Sequence, residues 1–234
     1  MIPFLDFCLV IRNGLPKRLV FIPALVAMLH AQGLQAFENE SVTILSTRFN
    51  HEFSNDYFSS VTFHSRFLEA FTANERYIAE ARIGKNIGDM QVSAAYNVHF
   101  NRRDQNGEEH RLYQQFRYVF PGDSSRLDFS ARLEERYFTA SGKTGARTRL
   151  VAYWNKYLSD HDTVRFGNEL VLNLNDYAVL AKRGFSQNRL LAGYRHEFPG
   201  GTRVDFNYQY RYIHRPLETN FIQHQLQMML TFDL

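Results

Sequence analysis

From Ser41 to the last residue, apolar and polar positions alternate with a period of two. Successive side chains of a β-strand point to opposite faces, so each alternating run predicts a strand with one apolar and one polar face. The clearest run is Thr202–Tyr212, where Val204, Phe206, Tyr208, Tyr210 and Tyr212 oppose Arg203, Asp205, Asn207, Gln209 and Arg211. Met90–Arg102 is nearly as regular, with Val92, Ala94, Tyr96, Val98 and Phe100 against Gln91, Ser93, Asn97, His99 and Asn101. Similar runs cover Ser41–Phe53, Tyr57–Leu68, Arg76–Lys85, Arg111–Phe120, Arg126–Phe138, Arg147–Tyr157, Thr163–Leu174, Phe185–Phe198 and Phe221–Leu234. No helical period competes between them. The fold class predicted is all-β, an antiparallel barrel of about 10–12 strands.

The punctuation between runs alternates in length. Short turns are predicted at Asn55-Asp56, Gly88-Asp89, Pro121–Asp123, Ser159–Asp162 and Pro199–Gly201. Longer polar loops are predicted at Asp104–Glu109, Thr139–Gly145 and Asn175–Gly184. Short turns at one end and long loops at the other describe a bacterial outer-membrane barrel, with the short turns in the periplasm. Such barrels have an even strand count, which sits badly with eleven runs. Ten strands would leave Ser41–Phe53 outside the barrel, so twelve is the count expected. The apolar face stays clean for about ten residues on nearly every run, the length a tilted membrane strand needs. A soluble barrel would turn that face inward; a transmembrane barrel turns it to lipid.

The first 36 residues break the pattern. Lys17 and Arg18 precede the apolar stretch from Leu19 to Leu29, and small residues follow at Ala31, Gly33 and Ala36. This reads as a secretory signal peptide over residues 1–36, leaving residues 37–234 as the barrel. The single cysteine, Cys8, lies in the removable part, so no disulfide framework or thiolate metal site is expected. No cofactor is expected either. Aromatic residues make up 15% of the chain, which favours strands. A formal net charge of +3, spread along the strands, gives no basis for nucleic-acid binding. Mean hydropathy is −0.38, which does not argue against a membrane, because alternation hides the apolar half.

Arg132-Leu-Glu-Glu-Arg136, Arg147-Thr-Arg149, Asn168-Glu-Leu170 and Gln187-Asn-Arg189 precede a tyrosine-rich strand and an aromatic terminal strand. In order and spacing these resemble the bacterial outer-membrane barrel proteins of the domain of unknown function 2490 family. The resemblance implies a barrel in the outer membrane and supplies no activity.

Candidate chemistry concentrates on the polar face of the second half. Arg132, Glu134, Arg136, Arg147, Arg149, Arg165, Glu169 and Arg189 would line one stretch of lumen. One reading is an Arg–Glu network that fills the lumen and holds neighbouring strands in register, since partly desolvated charges persist only when paired. The other is a positive field that binds or conducts small anionic solutes, giving a narrow-pore, porin-like protein. Within the predicted strands, spacing pairs no histidine with a serine two positions away on the same face, and no metal-ligand or phosphate-loop motif is present, so no catalytic residue is predicted. The carboxylate pairs Asp128/Glu134 and Glu169/Glu197 are expected to be salt-bridged rather than poised as acid and base. The competing reading is an outer-membrane enzyme acting on lipid or lipopolysaccharide. Trp154, Tyr194, Tyr208, Tyr210 and Tyr212 are predicted in interfacial girdles. Expected partners are outer-membrane lipid, lipopolysaccharide and the barrel-assembly machinery, which would read the strand Phe221 to Leu234.

Overall fold

The computed structural model describes residues 39–53, 55–68, 73–101, 107–177, 181–216 and 220–234. The predicted signal peptide, with Cys8, lies outside them, as do Arg102 and the start of the loop placed at Asp104. Eleven strands form one closed barrel. They are β1 (Asn39–Glu52), β2 (Tyr57–Leu68), β3 (Ala73–Ile87), β4 (Met90–Asn101), β5 (Glu108–Phe120) and β6 (Ser125–Phe138). Then follow β7 (Lys143–Tyr157), β8 (Asp162–Asn173), β9 (Gly184–Glu197), β10 (Thr202–Ile213) and β11 (Phe221–Asp233).

Each strand pairs antiparallel with its sequence neighbour, but β1 and β11 close the barrel in parallel, from Asn39↔Ile222 to Asn50↔Asp233. Eleven lies within the expected 10–12 strands and departs only from the even number, twelve, favoured among them. An odd number of up-and-down strands runs the first and last in the same direction, and only a parallel ladder can then join them. Ser41–Phe53, which a ten-strand barrel would have left out, falls largely within β1, between β2 and β11.

Short turns follow β1, β3, β5, β7 and β9, and the longer connections, including residues 174–183 and 214–220, gather at the other end. The turn Asn55-Asp56 has φ of +66° and +64°, which the short polar side chains of Asn and Asp tolerate better than most residues. Two predicted loops shrink. Glu109 belongs to β5 rather than a loop, and β7 begins at Lys143, so only residues 139–142 separate it from β6.

The faces are inverted relative to a soluble barrel. Phe63, Ile83, Leu112, Phe166 and Leu190 are large apolar side chains exposed on the outside. The lumen holds Thr62, Asn97, Glu134, Asn155 and Gln223, all buried. Even the few buried apolar side chains (Val42, Ala95, Tyr113 and Val171) share strand positions with the lumen set. This is the architecture of a transmembrane barrel.

Three lumen glycines let aromatic rings lie against the sheet. A Cβ on Gly167 would meet Tyr153 Cδ1 at 2.1 Å, one on Gly84 would meet Phe58 at 2.4 Å, and one on Gly145 would meet Tyr177 at 2.7 Å. Phe58↔Gly84 and Tyr153↔Gly167 are direct cross-strand partners, so the missing side chain makes room for its neighbour's ring.

Candidate functional site: the lumen

The lumen divides into a filled half near the long loops and an open half near the short turns. In the filled half, Glu134 is 1% exposed and lies 2.5 Å from Arg147, 2.7 Å from Arg149 and 3.5 Å from Arg132. The register explains the meeting: Glu134 is the cross-strand partner of Arg147, and Arg132 of Arg149, on β6 and β7. Arg149 Nη1 also reaches Glu169 Oε1 at 3.1 Å, and Arg189 Nη1 approaches the same oxygen at 3.1 Å.

The contacts continue around the wall. Gln187 Oε1 accepts from Arg189 at 2.7 Å and from Arg211 at 3.0 Å. Arg211 donates to Gln223 at 2.8 Å, and Gln223 donates to Glu40. In the other direction, Arg132 donates to Gln115 at 2.7 Å and lies over the Tyr113 ring, 4.0 Å from its centroid. Tyr113 accepts from Arg82 at 2.7 Å, and Arg82 pairs with Glu80 at 2.9 Å. Asn97 Nδ2 donates to the other Glu80 oxygen at 3.4 Å. One run of contacts therefore touches every strand except β2, and Arg48 ties β1 to that strand by donating to Thr62 at 3.1 Å. Buried charges hold their ionised form only with partners of this kind.

Six of the sequence-predicted residues (Arg132, Glu134, Arg147, Arg149, Glu169 and Arg189) are thus brought together. Arg136 is drawn elsewhere, to Glu109 and the Tyr177 hydroxyl, beside Arg111, which holds Glu109 through bonds of 2.7 and 2.9 Å. Arg165 sits in the open half, bonded to Asn155 at 3.0 Å and 3.7 Å from Asp205. Sequence reading missed Glu80, Arg82, Glu109, Tyr113 and Gln223. Period two already placed Arg82, Arg211 and Gln223 on polar faces, but only the closed barrel shows which faces meet. Asp128 lies 2.8 Å from Arg117 and 3.2 Å from Arg126, while Glu134 and Glu169 are shared among arginines.

The open half is a cavity of about 580 Å³. All its lining residues come from the short-turn ends or middles of the strands, so it forms a cup that opens at that end. Arg82, Gln115, Arg132 and Gln227 lie deep, Arg48 somewhat higher, and Glu52, Arg126, Arg203 and Asp233 are nearest the rim.

Two histidine contacts lay beyond the reach of sequence spacing, because both partners come from different strands. Ser46 Oγ meets His64 Nδ1 at 2.7 Å across β1 and β2, where Ser46 is buried. On the outer wall at the short-turn end, Asp162 takes the Nδ1 of His196 at 2.7 Å on one oxygen and Ser159 Oγ at 2.7 Å on the other. The serine there bonds the carboxylate, not the imidazole. Trp154 stacks on Phe166 on the outer face. Tyr208 stands midway along β10, with its hydroxyl 2.6 Å from His224 Nδ1, so it is not a rim residue as expected.

A family model described as "Protein of unknown function (DUF2490)" matches residues 44–221, and the chain belongs to this family. No curated protein matches the sequence. Among solved structures, the NanC porin in a rhombohedral crystal form is 16% identical, with a TM-score of 0.48 over 70% of this chain and 78% of its own.

Proposed function

We propose that the protein is a bacterial outer-membrane barrel sealed to through-flow in its long-loop half, with a cup facing the periplasm that takes up small anions without passing them. One observation carries this reading. Glu134, bound by three arginines in mid-lumen, is 1% exposed, so the charges that would line a pore fill it instead. The exposed apolar wall supports placement in lipid, with lipopolysaccharide on the long-loop side. Phe232 stacks on Phe49 at the β1–β11 seam, and the β11 edge is what assembly machinery would read before closure.

Planar-bilayer recording of the refolded barrel tests the seal. No conductance steps are expected from the wild type, and steps are expected when Glu134, Arg147 and Arg149 are all replaced by alanine. Regular steps from the wild type would make it a narrow pore instead. A second reading, an enzyme acting on lipid, rests on the oriented pair Asp162–His196 at the lipid-facing rim. Release of fatty acid from an outer-membrane lipid extract, abolished by His196→Ala, would establish it; an intact extract would set it aside.

A further inference from the structure

The cup's charge is unbalanced. Its lining carries eight arginines (Arg48, Arg82, Arg117, Arg126, Arg132, Arg165, Arg195 and Arg203) against five carboxylates. At the rim these pair off: Arg117 and Arg126 with Asp128, Arg195 with Asp205, and Arg203 with Asp233. Deeper down the pairing is incomplete. Among the described residues Arg48 has no carboxylate partner, and its recorded hydrogen bond goes from Nε to Thr62. Arg82 pairs with Glu80 through Nη2 but keeps a buried Nε with no acceptor. Arg132 lies 3.5 Å from a Glu134 that is already shared with two other arginines.

These three guanidinium groups line the cup from β1, β3 and β6, and Arg82 and Arg132 both contact Tyr113, one at its hydroxyl and one over its ring. Donor positions left over after these bonds call for a ligand that only accepts, and an arginine fork matches an oxyanion. Donors arriving from three walls match a tetrahedral oxyanion better than a planar carboxylate, which offers two oxygens in one plane. The surplus of positive charge matches a dianion.

Resting on the reading of a cup closed at its floor, we propose that Arg48, Arg82 and Arg132 form a binding site for a phosphate group, either free or as the head of a small phosphomonoester. The cavity volume falls in the usual range for small-molecule sites, so it has room for an organic body above the head.

The test is calorimetric titration of the full barrel in detergent with inorganic phosphate at low ionic strength. Wild type is expected to bind phosphate more tightly than succinate. R48Q is expected to lose about tenfold or more in phosphate affinity, because a charge-assisted fork is removed. K182Q, outside the cup at the long-loop end and paired with Asp176, should stay within about threefold of wild type. Retained heat-modifiable gel mobility shows that each variant is folded. Titration with glycerol 3-phosphate separates the sources: tighter binding than phosphate assigns the phosphomonoester, and equal or weaker binding assigns the free ion. Absence of phosphate binding, an unaltered R48Q, or a preference for succinate would overturn the proposal. Bilayer conductance is read separately, so a leaking barrel that binds phosphate defeats the seal alone, and a sealed barrel that does not bind defeats the site alone.

Discussion

Asn50 donates its side-chain amide to Asp233 at 2.8 Å, although 183 residues separate them in the chain. The same carboxylate oxygen accepts from Arg203 at 2.8 Å, and the Leu234 amide donates to the Asn50 carbonyl at 2.8 Å. These bonds lock the short-turn end of the parallel seam. Asp233 is nearly half exposed, so water screens its contacts. Asp233→Ala should therefore cost less than about 1 kcal/mol. A small fall in the temperature at which the barrel unfolds on semi-native gels is the expected result.

Glu134→Ala should be far more damaging, because it strands Arg147 and Arg149 in a filled lumen without their shared acceptor. Removing one member of a buried ionic cluster costs about 3–5 kcal/mol. Glu169→Ala leaves Arg149 with Glu134 and Arg189 with Gln187, so about 1–3 kcal/mol is expected. Urea titration followed by tryptophan fluorescence should rank the two in that order.

Gly167→Ala places a methyl group where the Tyr153 ring lies. The ring must swing into the cup or the strands must part, at about 1–3 kcal/mol. Tyr153→Ala in the same chain should recover part of that loss, which urea titration of the double variant would detect.

Trp154 is the only tryptophan in the chain and stands 44% exposed on the outer wall. Its emission should be quenched by brominated lipids and hardly at all by iodide in the aqueous phase. The opposite pattern would mean that this wall does not face lipid.

Beyond the long-loop end of β8, Asp176 accepts the Arg183 amide at 2.6 Å and faces Lys182 at 3.5 Å. The amide bond chiefly, with the lysine adding to it, holds this carboxyl below the usual aspartate range. A depressed carboxyl stabilises the loop fully above its unfolded pKa of about 3.9 and loses that contribution as pH falls through the lower folded value. Hydrogen exchange at the Arg183 amide should keep its protection down to about pH 4 and lose it only in stronger acid, after correction for the intrinsic rate.

Much of this architecture is legible in a one-dimensional pattern because period two survives in every strand. Val92 to Phe100 and Val204 to Tyr212 announce their outward faces without help from tertiary structure. Eleven runs were legible, and only the even-number rule argued against them; the parallel pairing of β1 and β11 was not legible, since it leaves no hairpin or turn signal. Glu109 was hidden by the polar run before it, which reads as loop until Arg111 and Arg136 are seen to close on its carboxylate. The contacts Ser46–His64 and Asp162–His196 depend on cross-strand register, which residue spacing within one strand does not encode. The charged lining was legible as composition. Its division into a filled half and a cup follows from the height of each residue in the closed barrel, and only the register supplies that.

The parallel seam also dictates an order in time. Every other ladder joins neighbours in sequence and can form as a hairpin while the chain is incomplete, whereas β1 must wait for the last strand to arrive. Until then both ends of the sheet present unpaired backbone edges, which are open to pairing with the wrong chain.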